Sequence, residues 1–197
     1  MTAIFEHSHS QRHFSDAYVD KQLIIDAWDQ AKFAPTAFNC QPMRIDLVGQ
    51  GPTRKALVPL AGISNQDAIS SAPWVCVLSW DPDLSTVMTK CKAPQDFIDM
   101  AQSRVDTVSP QSATLQAAYF LVTLRARGLG VAPMTGLSIN AVDKLLHREN
   151  HWRTMMVFCI GYPDFTQRNP TRAPRPSWGD IAQEYDTDSL SPTDFVC

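Results

Sequence analysis

No stretch of this chain approaches the twenty or so consecutive apolar residues of a membrane-spanning helix, so no helical membrane span is expected. The N-terminal residues Met1-Thr2-Ala3-Ile4-Phe5-Glu6-His7 do not set a basic segment before an apolar one, so no secretory leader is expected either. Positive charge is scarce. Seventeen Lys and Arg face 20 Asp and Glu, a net charge of -3, which is not the clustered basic surface that nucleic-acid phosphates attract. Five cysteines, at positions 40, 76, 91, 159 and 197, are an odd number and form no C-x-x-C pair, which fits reduced, mostly buried thiols in a cytoplasmic protein. There is no Ser-His-Asp order, no H-E-x-x-H and no P-loop, so the chain carries no strong signature of hydrolysis or phosphoryl transfer.

What is present suits a folded domain. Apolar residues make up 44% of 197 positions, enough for a sizeable core and too many for a disordered chain. The apolar spacing of Leu23, Ile24, Ala27, Trp28 and Ala31 predicts a helix over 20–34 with Asp20 as N-cap. Met43 to Val48 reads as a strand, followed by a turn at 49–52 and a short helix over 53–60 weakened by Pro59. Asn65 is placed as the cap of another short helix ending at Ser71. The continuous apolar run Trp74 to Trp80 predicts a central strand buried on both faces.

A helix is predicted to start near Pro94, with Phe97, Ile98, Ala101 and Val105 inward. The longest helical pattern spans 111–127. Leu115, Ala118, Tyr119, Val122 and Ala126 form one stripe, widened by Phe120, Leu121 and Leu124, so this helix is expected to be buried in the core or against a second subunit. Gly128 stops it, Ser138 caps a further helix to Leu146, and Met155 to Ile160 is the third clear strand. Residues 162–178 are rich in Pro and Arg without periodicity, and 186–197 form a polar tail. Strands separated by helices without regular alternation predict an α+β domain.

Several segments carry candidate chemistry. Gly128-Leu129-Gly130 does not make a dinucleotide fingerprint, because the glycines close a helix rather than open one and Pro133 occupies the third glycine position. In His7-Ser8-His9-Ser10-Gln11-Arg12-His13 no cysteine or acid lies at ligand spacing, so an anion site built on Ser10 and Arg12 fits better than a metal. Arg172-Ala173-Pro174-Arg175-Pro176 is a second basic element, and one of its arginines could share a phosphate with Arg12. Ala132-Pro133-Met134-Thr135-Gly136 reads as a loop whose backbone can approach a ligand closely. Pro35-Thr36-Ala37-Phe38-Asn39-Cys40-Gln41-Pro42 combines a helix stop with exposed amides and the polar side chains Thr36, Asn39 and Gln41, which can hold a flat polar ring by its edge. Taken singly, the basic elements fit a solvated surface comparably well.

The order of these segments resembles the nitroreductase family of FMN-dependent oxidoreductases from His9 to about Tyr185. The basic-Ser-x-basic-x-Phe pattern appears as His9-Ser10-Gln11-Arg12-His13-Phe14, and the Pro-Ser/Thr-x-x-Asn-x-Gln-Pro loop as Pro35 to Pro42. Asn65, the segment Pro133-Met134-Thr135-Gly136, and Arg172 and Arg175 stand in the family's remaining positions. Asn39-Cys40, Pro133 to Gly136 and Trp80-Asp81 look most similar to the malonic semialdehyde reductase subgroup. Two positions depart from many relatives: Ser8, where an Arg is frequent, and His9, which is often Arg.

The resemblance implies an α+β fold with a mostly antiparallel sheet flanked by helices. It implies one FMN-binding domain over 1–185 with the tail 186–197 packing on a partner, and a homodimer with intertwined termini and two FMN sites at the subunit interface. By resemblance, His9, Ser10 and Arg172 or Arg175 hold the phosphate. Arg12 and Asn65 face the pyrimidine edge. Pro35, Thr36 and Asn39 fix the ring and ribityl chain. Backbone groups of Pro133, Met134, Thr135 and Gly136 lie beside the ring, with the Thr135 amide at N5. NADH or NADPH is the implied co-substrate in a ping-pong hydride transfer to a small acceptor without a dedicated acid or base, and no metal is implied. A broadly tolerant nitro- or quinone reductase, a flavin-binding protein without turnover and a plain structural module remain the alternatives.

Overall fold

The computed structural model describes residues 3–6, 9–167 and 172–185. The predicted tail at 186–197, together with His7 and Ser8, lies outside the described residues. Four strands, β1 Met43–Val48, β2 Trp74–Trp80, β3 Gly130–Met134 and β4 Arg153–Gly161, form one sheet in the order β1-β2-β4-β3. Every neighbouring pair is antiparallel. In chain order the described helices are α1 Ala3–Glu6, α2 Lys21–Ala31, α3 Pro52–Leu57, α4 Ile63–Ser71, α5 Ser85–Lys90, α6 Gln95–Gln102, α7 Val105–Ala126, α8 Ile139–Leu146 and α9 Trp178–Ile181. The expected α+β class and antiparallel sheet are what the chain adopts.

Alternation along the strands explains the two-sided core. On β2, Cys76 and Leu78 join Ile24, Ala27 and Ala31 of α2 and Phe120 and Leu124 of α7 on one face. Val75 and Val77 point the other way, into a cluster with Leu57 of α3, Ile69 of α4 and Val142 of α8. A central strand with both faces covered must be apolar throughout, which is why Trp74 to Trp80 reads as an unbroken run. Phe120 stacks on Phe158 of β4 at 6.2 Å and meets Trp28 of α2 edge-on at 6.1 Å, locking both helices to the sheet. A third, smaller cluster gathers Cys40, Leu84, Met88, Ile98, Ala101 and Val108, so α5 and α6 fold against the loop that precedes β1.

Three elements differ from the sequence reading. The long helix begins at Val105, not Gln111, and carries Pro110 inside it. The hydrogen bond Pro110 cannot donate would go to Asp106, which is exposed and open to water, so the helix tolerates the proline. Its buried face is Val108, Ser109, Ser112, Ala113, Gln116, Ala117, Phe120 and Leu124, whereas Leu115 and Tyr119 of the apolar stripe are each 48% exposed, which removes the first of the two expected places for that stripe, the core of its own chain. Ala132, Pro133 and Met134, read as part of a loop over 132–136, belong to the edge strand β3. Pro133 is exposed there, and an edge strand accommodates a proline because one of its sides is unpaired. Asn65 lies inside α4 rather than capping it, since Gly62 is the N-cap, and Phe97 of α6 is exposed rather than inward.

Other boundaries follow the sequence closely. The Asp20 side chain accepts from the Gln22 amide at 2.9 Å and caps α2, and Gly128 closes α7 with a φ of 79°, a conformation that glycine adopts without strain.

Two polar fasteners hold the second face. The buried Arg54 of α3 donates to the carbonyls of Ile69 at 2.7 Å and Ala72 at 2.8 Å, at the C-terminal end of α4, and to the Val48 carbonyl at the end of β1. The buried His147 sits between Asp46 of β1, at 2.8 Å, and Asp143 of α8, at 3.2 Å, while Asp143 also accepts from the Thr154 hydroxyl of β4 at 2.6 Å.

Replacing Arg54 by Met keeps the apolar volume but removes the guanidinium donors from three carbonyls, of which Ala72 retains only the bond from Gln50 Nε2 at 3.2 Å. It should lower stability by roughly 3 kcal/mol, read as a fall in the urea midpoint at unchanged slope.

Candidate functional site

The predicted site residues fall into two groups. The first lies at the end of β3. The chain from Gln11 runs beside this strand, with its amide donating to the Val131 carbonyl at 3.1 Å. The next residue, Arg12, is thereby carried to the N-terminal end of α4, where Nη1 donates to the Ser64 carbonyl at 2.8 Å. Asn65, 8% exposed, directs Nδ2 to the Gly136 carbonyl at 3.4 Å, and the Gly62 amide donates to the same carbonyl at 2.9 Å. A Cβ on Gly136 would come within 2.9 Å of Asn65 Nδ2 and displace the carboxamide, so glycine lets the two approach as they do. Pro133, Thr135 and Gly136 are exposed and Met134 is buried in the core, which leaves the Thr135–Gly136 backbone presented next to Asn65 and Arg12.

The second group is the loop before β1. Pro35 and Asn39 are exposed and Thr36 is half-buried. Phe38, Asn39 and Gln41 have φ of 55°, 54° and 41°, the left-handed region that non-glycine residues avoid. Such conformations persist where the surroundings dictate them, and they collect at functional sites. The loop is internally braced. Gln41 donates its amide to Thr36 Oγ1 at 3.3 Å and its Nε2 to Asn39 Oδ1 at 3.1 Å, while Phe38 packs against Phe97 of α6 at 6.2 Å between centroids. Its exit is clamped by Arg44, which pairs with Asp81 at 2.8 Å and donates to the Gln41 carbonyl at 3.0 Å.

One chain does not bring the two groups together. β1 and β3 are the opposite edges of the sheet, three strand spacings or roughly 14 Å apart. The antiparallel register places the start of β1 and the end of β3 at the same end of the sheet. The loop attaches to α7 on one face and the Gly136 turn to α4 on the other, so Asn39 is separated from Asn65 and Thr135 by both the width and the thickness of the sheet.

The basic candidates lie near the chain's ends. The carbonyl of His9 accepts from Arg125 Nη2 at 2.9 Å, and Ser10 next to it is exposed. Arg172 is exposed and Nη1 donates to the Phe5 carbonyl at 2.9 Å, which draws the C-terminal segment towards the stretch that leads into His9 and Ser10. Arg175 bonds the carbonyls of its neighbours Ala173 and Pro174 at 2.8 and 3.3 Å. Among the described residues no group of His, Cys, Asp or Glu is arranged to hold a metal ion.

Sequence reasoning passed over Ser112 and Gln116 of α7, whose side chains accept from the backbone at either end of the loop. Their signal was present as two polar residues four apart, in line with the apolar Phe120 and Leu124 of the same helix face. It also passed over the Arg44–Asp81 pair, which only the β1–β2 register brings together.

The buried thiols Cys40, Cys76 and Cys159 are not poised for chemistry at neutral pH. Burial pushes Cys40 above its ordinary value despite the opposing Ser112 hydrogen bond, raises Cys76 strongly and pushes Cys159 up to about 12. Cys91 alone of the described cysteines is exposed. Iodoacetamide at neutral pH should therefore alkylate Cys91 in the folded protein and reach Cys40, Cys76 and Cys159 only after denaturation, as checked by peptide mass mapping.

Comparison with known proteins identifies the family. The profile described as the nitroreductase family matches residues 6–162. Two proteins of Streptomyces coelicolor, both provisionally named NADH dehydrogenase/NAD(P)H nitroreductase, are similar in sequence. One is 33% identical over 164 residues, covering 81% of this chain and 83% of its own length. The other is 30% identical over 165 residues, covering 82% of each. Among solved structures, a nitroreductase family protein of Streptococcus pneumoniae shares the fold with a TM-score of 0.82 at 23% identity, over 93% of this chain and 99% of that one. A provisionally named nitroreductase of Exiguobacterium sibiricum, solved in complex with FMN, does so with a TM-score of 0.75 at 19% identity, over 93% and 96%. The extent of the family match and the identity to these relatives place this chain in the nitroreductase family.

Proposed function

We propose that this protein is an FMN-dependent NAD(P)H oxidoreductase that works as a cytoplasmic homodimer, with each cofactor site built from two copies of the chain. The observation that carries this reading is the separation of the two candidate groups. A flavin seated against Arg12, Asn65 and Gly136 of one copy is out of reach of that copy's own Pro35–Pro42 loop, whereas a second copy can present its loop there. The names of the relatives and the FMN complex of a structural neighbour support the choice of cofactor and co-substrate.

The residues suit an FMN molecule. Arg12 sets a fixed positive charge beside the Asn65 carboxamide, where the pyrimidine edge would gain negative charge on reduction. The absence of a side chain at Gly136 leaves the Thr135–Gly136 backbone free to lie against the ring, with the Thr135 amide towards N5. Pro35, Thr36 and Asn39 hold the ring and ribityl chain from the partner copy. Ser10, His9 and Arg172 or Arg175 take the phosphate. When bound, FMN supplies the relay of hydride between NADH or NADPH and the acceptor. The protein contributes the pocket that seats the two partners in turn and excludes water.

Exposed apolar surface supports the dimer. Leu115, Ala118 and Tyr119 share the outward face of α7, Phe97 and Met100 stand out from α6, and Trp178, Ile181 and Tyr185 line the C-terminal arm. No described helix is long and apolar enough to cross a membrane.

For the acceptor, the Trp80-Asp81 and Pro133 to Gly136 resemblances favour malonic semialdehyde, reduced to 3-hydroxypropanoate. The relatives' names favour a broader nitro- or quinone reductase.

The purified protein should be yellow and bleach anaerobically with NADH or NADPH. A colourless protein that takes up no FMN overturns the proposal. A yellow protein that neither nucleotide bleaches would leave a flavin carrier without turnover. Steady-state rates with malonic semialdehyde, a nitroarene and a quinone decide the acceptor. A semialdehyde kcat/KM no more than about tenfold above the other two would favour the broader reductase. Placing Glu at Tyr119 should shift the protein to a monomer in sedimentation and lower FMN affinity by at least about tenfold, because each site would lose its second half.

A further inference from the structure

Helix α7 carries three buried polar side chains, Ser109, Ser112 and Gln116, on its otherwise apolar inner face. Offsets of three and seven residues put them on one line of the helix. Each meets backbone. Ser109 Oγ donates to the Asp81 carbonyl at 3.3 Å, Ser112 Oγ accepts from the Ala37 amide at 3.2 Å, and Gln116 Oε1 accepts from the Met43 amide at 3.1 Å. Ala37 and Met43 bracket the stretch that holds the left-handed Phe38, Asn39 and Gln41.

Gln116 keeps its carbonyl on Met43 although its own Nε2 is buried without a partner. An orphaned buried donor is unfavourable, and so are three non-glycine residues at positive φ. The strained backbone is on the loop and the orphaned donor on the α7 side chain that holds its end, so both costs meet where α7 fixes the loop. Apolar residues at 112 and 116 would fill the same space, yet leave the Ala37 and Met43 amides without these acceptors.

We infer that Ser112 and Gln116 are positioning residues for cofactor binding. They pin the Pro35–Pro42 loop so that Thr36 and Asn39 stand ready for FMN before it arrives. The inference rests on the flavin role assigned to that loop above. It adds that the helix whose outward face meets the second copy also sets, through its inner face, the loop offered to that copy's flavin.

The test titrates apo-protein with FMN, following quenching of flavin fluorescence. The visible circular dichroism of the bound flavin and the urea midpoint of the apo-protein are measured alongside. Ser112→Ala and Gln116→Met should each raise the FMN Kd about tenfold and change the visible dichroism. Ser112→Thr, which restores a hydroxyl, should return both towards wild type. Ser79→Ala is the control, because the Ser79 hydroxyl is buried without a hydrogen-bond partner, and it should leave both unchanged.

Wild-type Kd and dichroism in both Ser112→Ala and Gln116→Met overturn the inference, as does an equal loss of affinity in Ser79→Ala. If Ser112→Ala does not fold, Gln116→Met decides, since it keeps the side-chain volume. Asn39→Ala separates the two levels of the argument. Unaltered FMN binding in that variant overturns the loop's flavin role itself. Loss of binding there, with Ser112→Ala and Gln116→Met unaffected, overturns only the positioning role.

Discussion

The order of the four strands is the constraint on which the rest depends. With β1 and β3 at opposite edges, the loop that enters the sheet and the turn that leaves it open at the same end but cannot meet. Closing the sheet or adding a strand would not help, because one group is fastened to the α7 face and the other to the α4 face. A site that needs both must take one from a second copy. The apolar side chains left outward on α6, α7 and the C-terminal arm are the surface such an assembly would cover.

Helix α7 works in both directions. Its inner face combines Phe120 and Leu124, which pack on the sheet, with hydroxyl and amide groups that satisfy backbone at the edge of the neighbouring loop. Its outer face carries Leu115 and Tyr119. A helix with apolar groups on both sides and polar groups buried between them has no single hydrophobic stripe, and its amphipathicity does not reveal which side is inside. On the opposite face of the sheet, buried polar groups serve as fasteners. Arg54 ties α3 to the ends of α4 and β1, and His147 ties α8 to β1 and β4. Both hold the platform from which Asn65 and Gly136 are presented.

Much of the fold was legible because local rules and tertiary demands agree. Asp20 caps α2, Gly128 closes α7, and Met43–Val48 and Trp74–Trp80 have the observed strand limits. The misreadings have physical causes. Pro133 disguised β3, because a proline argues against a strand unless the strand lies at an edge, and edge position is a property of the assembled sheet. The Leu115–Tyr119 stripe left two readings open, because apolar periodicity does not distinguish burial within a chain from burial between chains. Asn65 was taken for a cap because asparagine favours that position, whereas here its carboxamide turns to the Gly136 carbonyl.

By itself the sequence determined strands β1, β2 and β4, helices α2, α6, α7 and α8, the lack of an apolar run long enough for a helical membrane span, and the series of polar and basic segments that mark a nitroreductase, because these follow from nearest-neighbour conformational preferences and short motifs. Tertiary structure alone decided that the Asn65 and Gly136 segments meet while the 35–42 loop stands apart, that Phe38, Asn39 and Gln41 are held in the left-handed region, and that Ser112, Gln116, Arg44 and Asp81 stand behind them. Those outcomes depend on contacts between residues 37 to 75 positions apart, which no local pattern encodes.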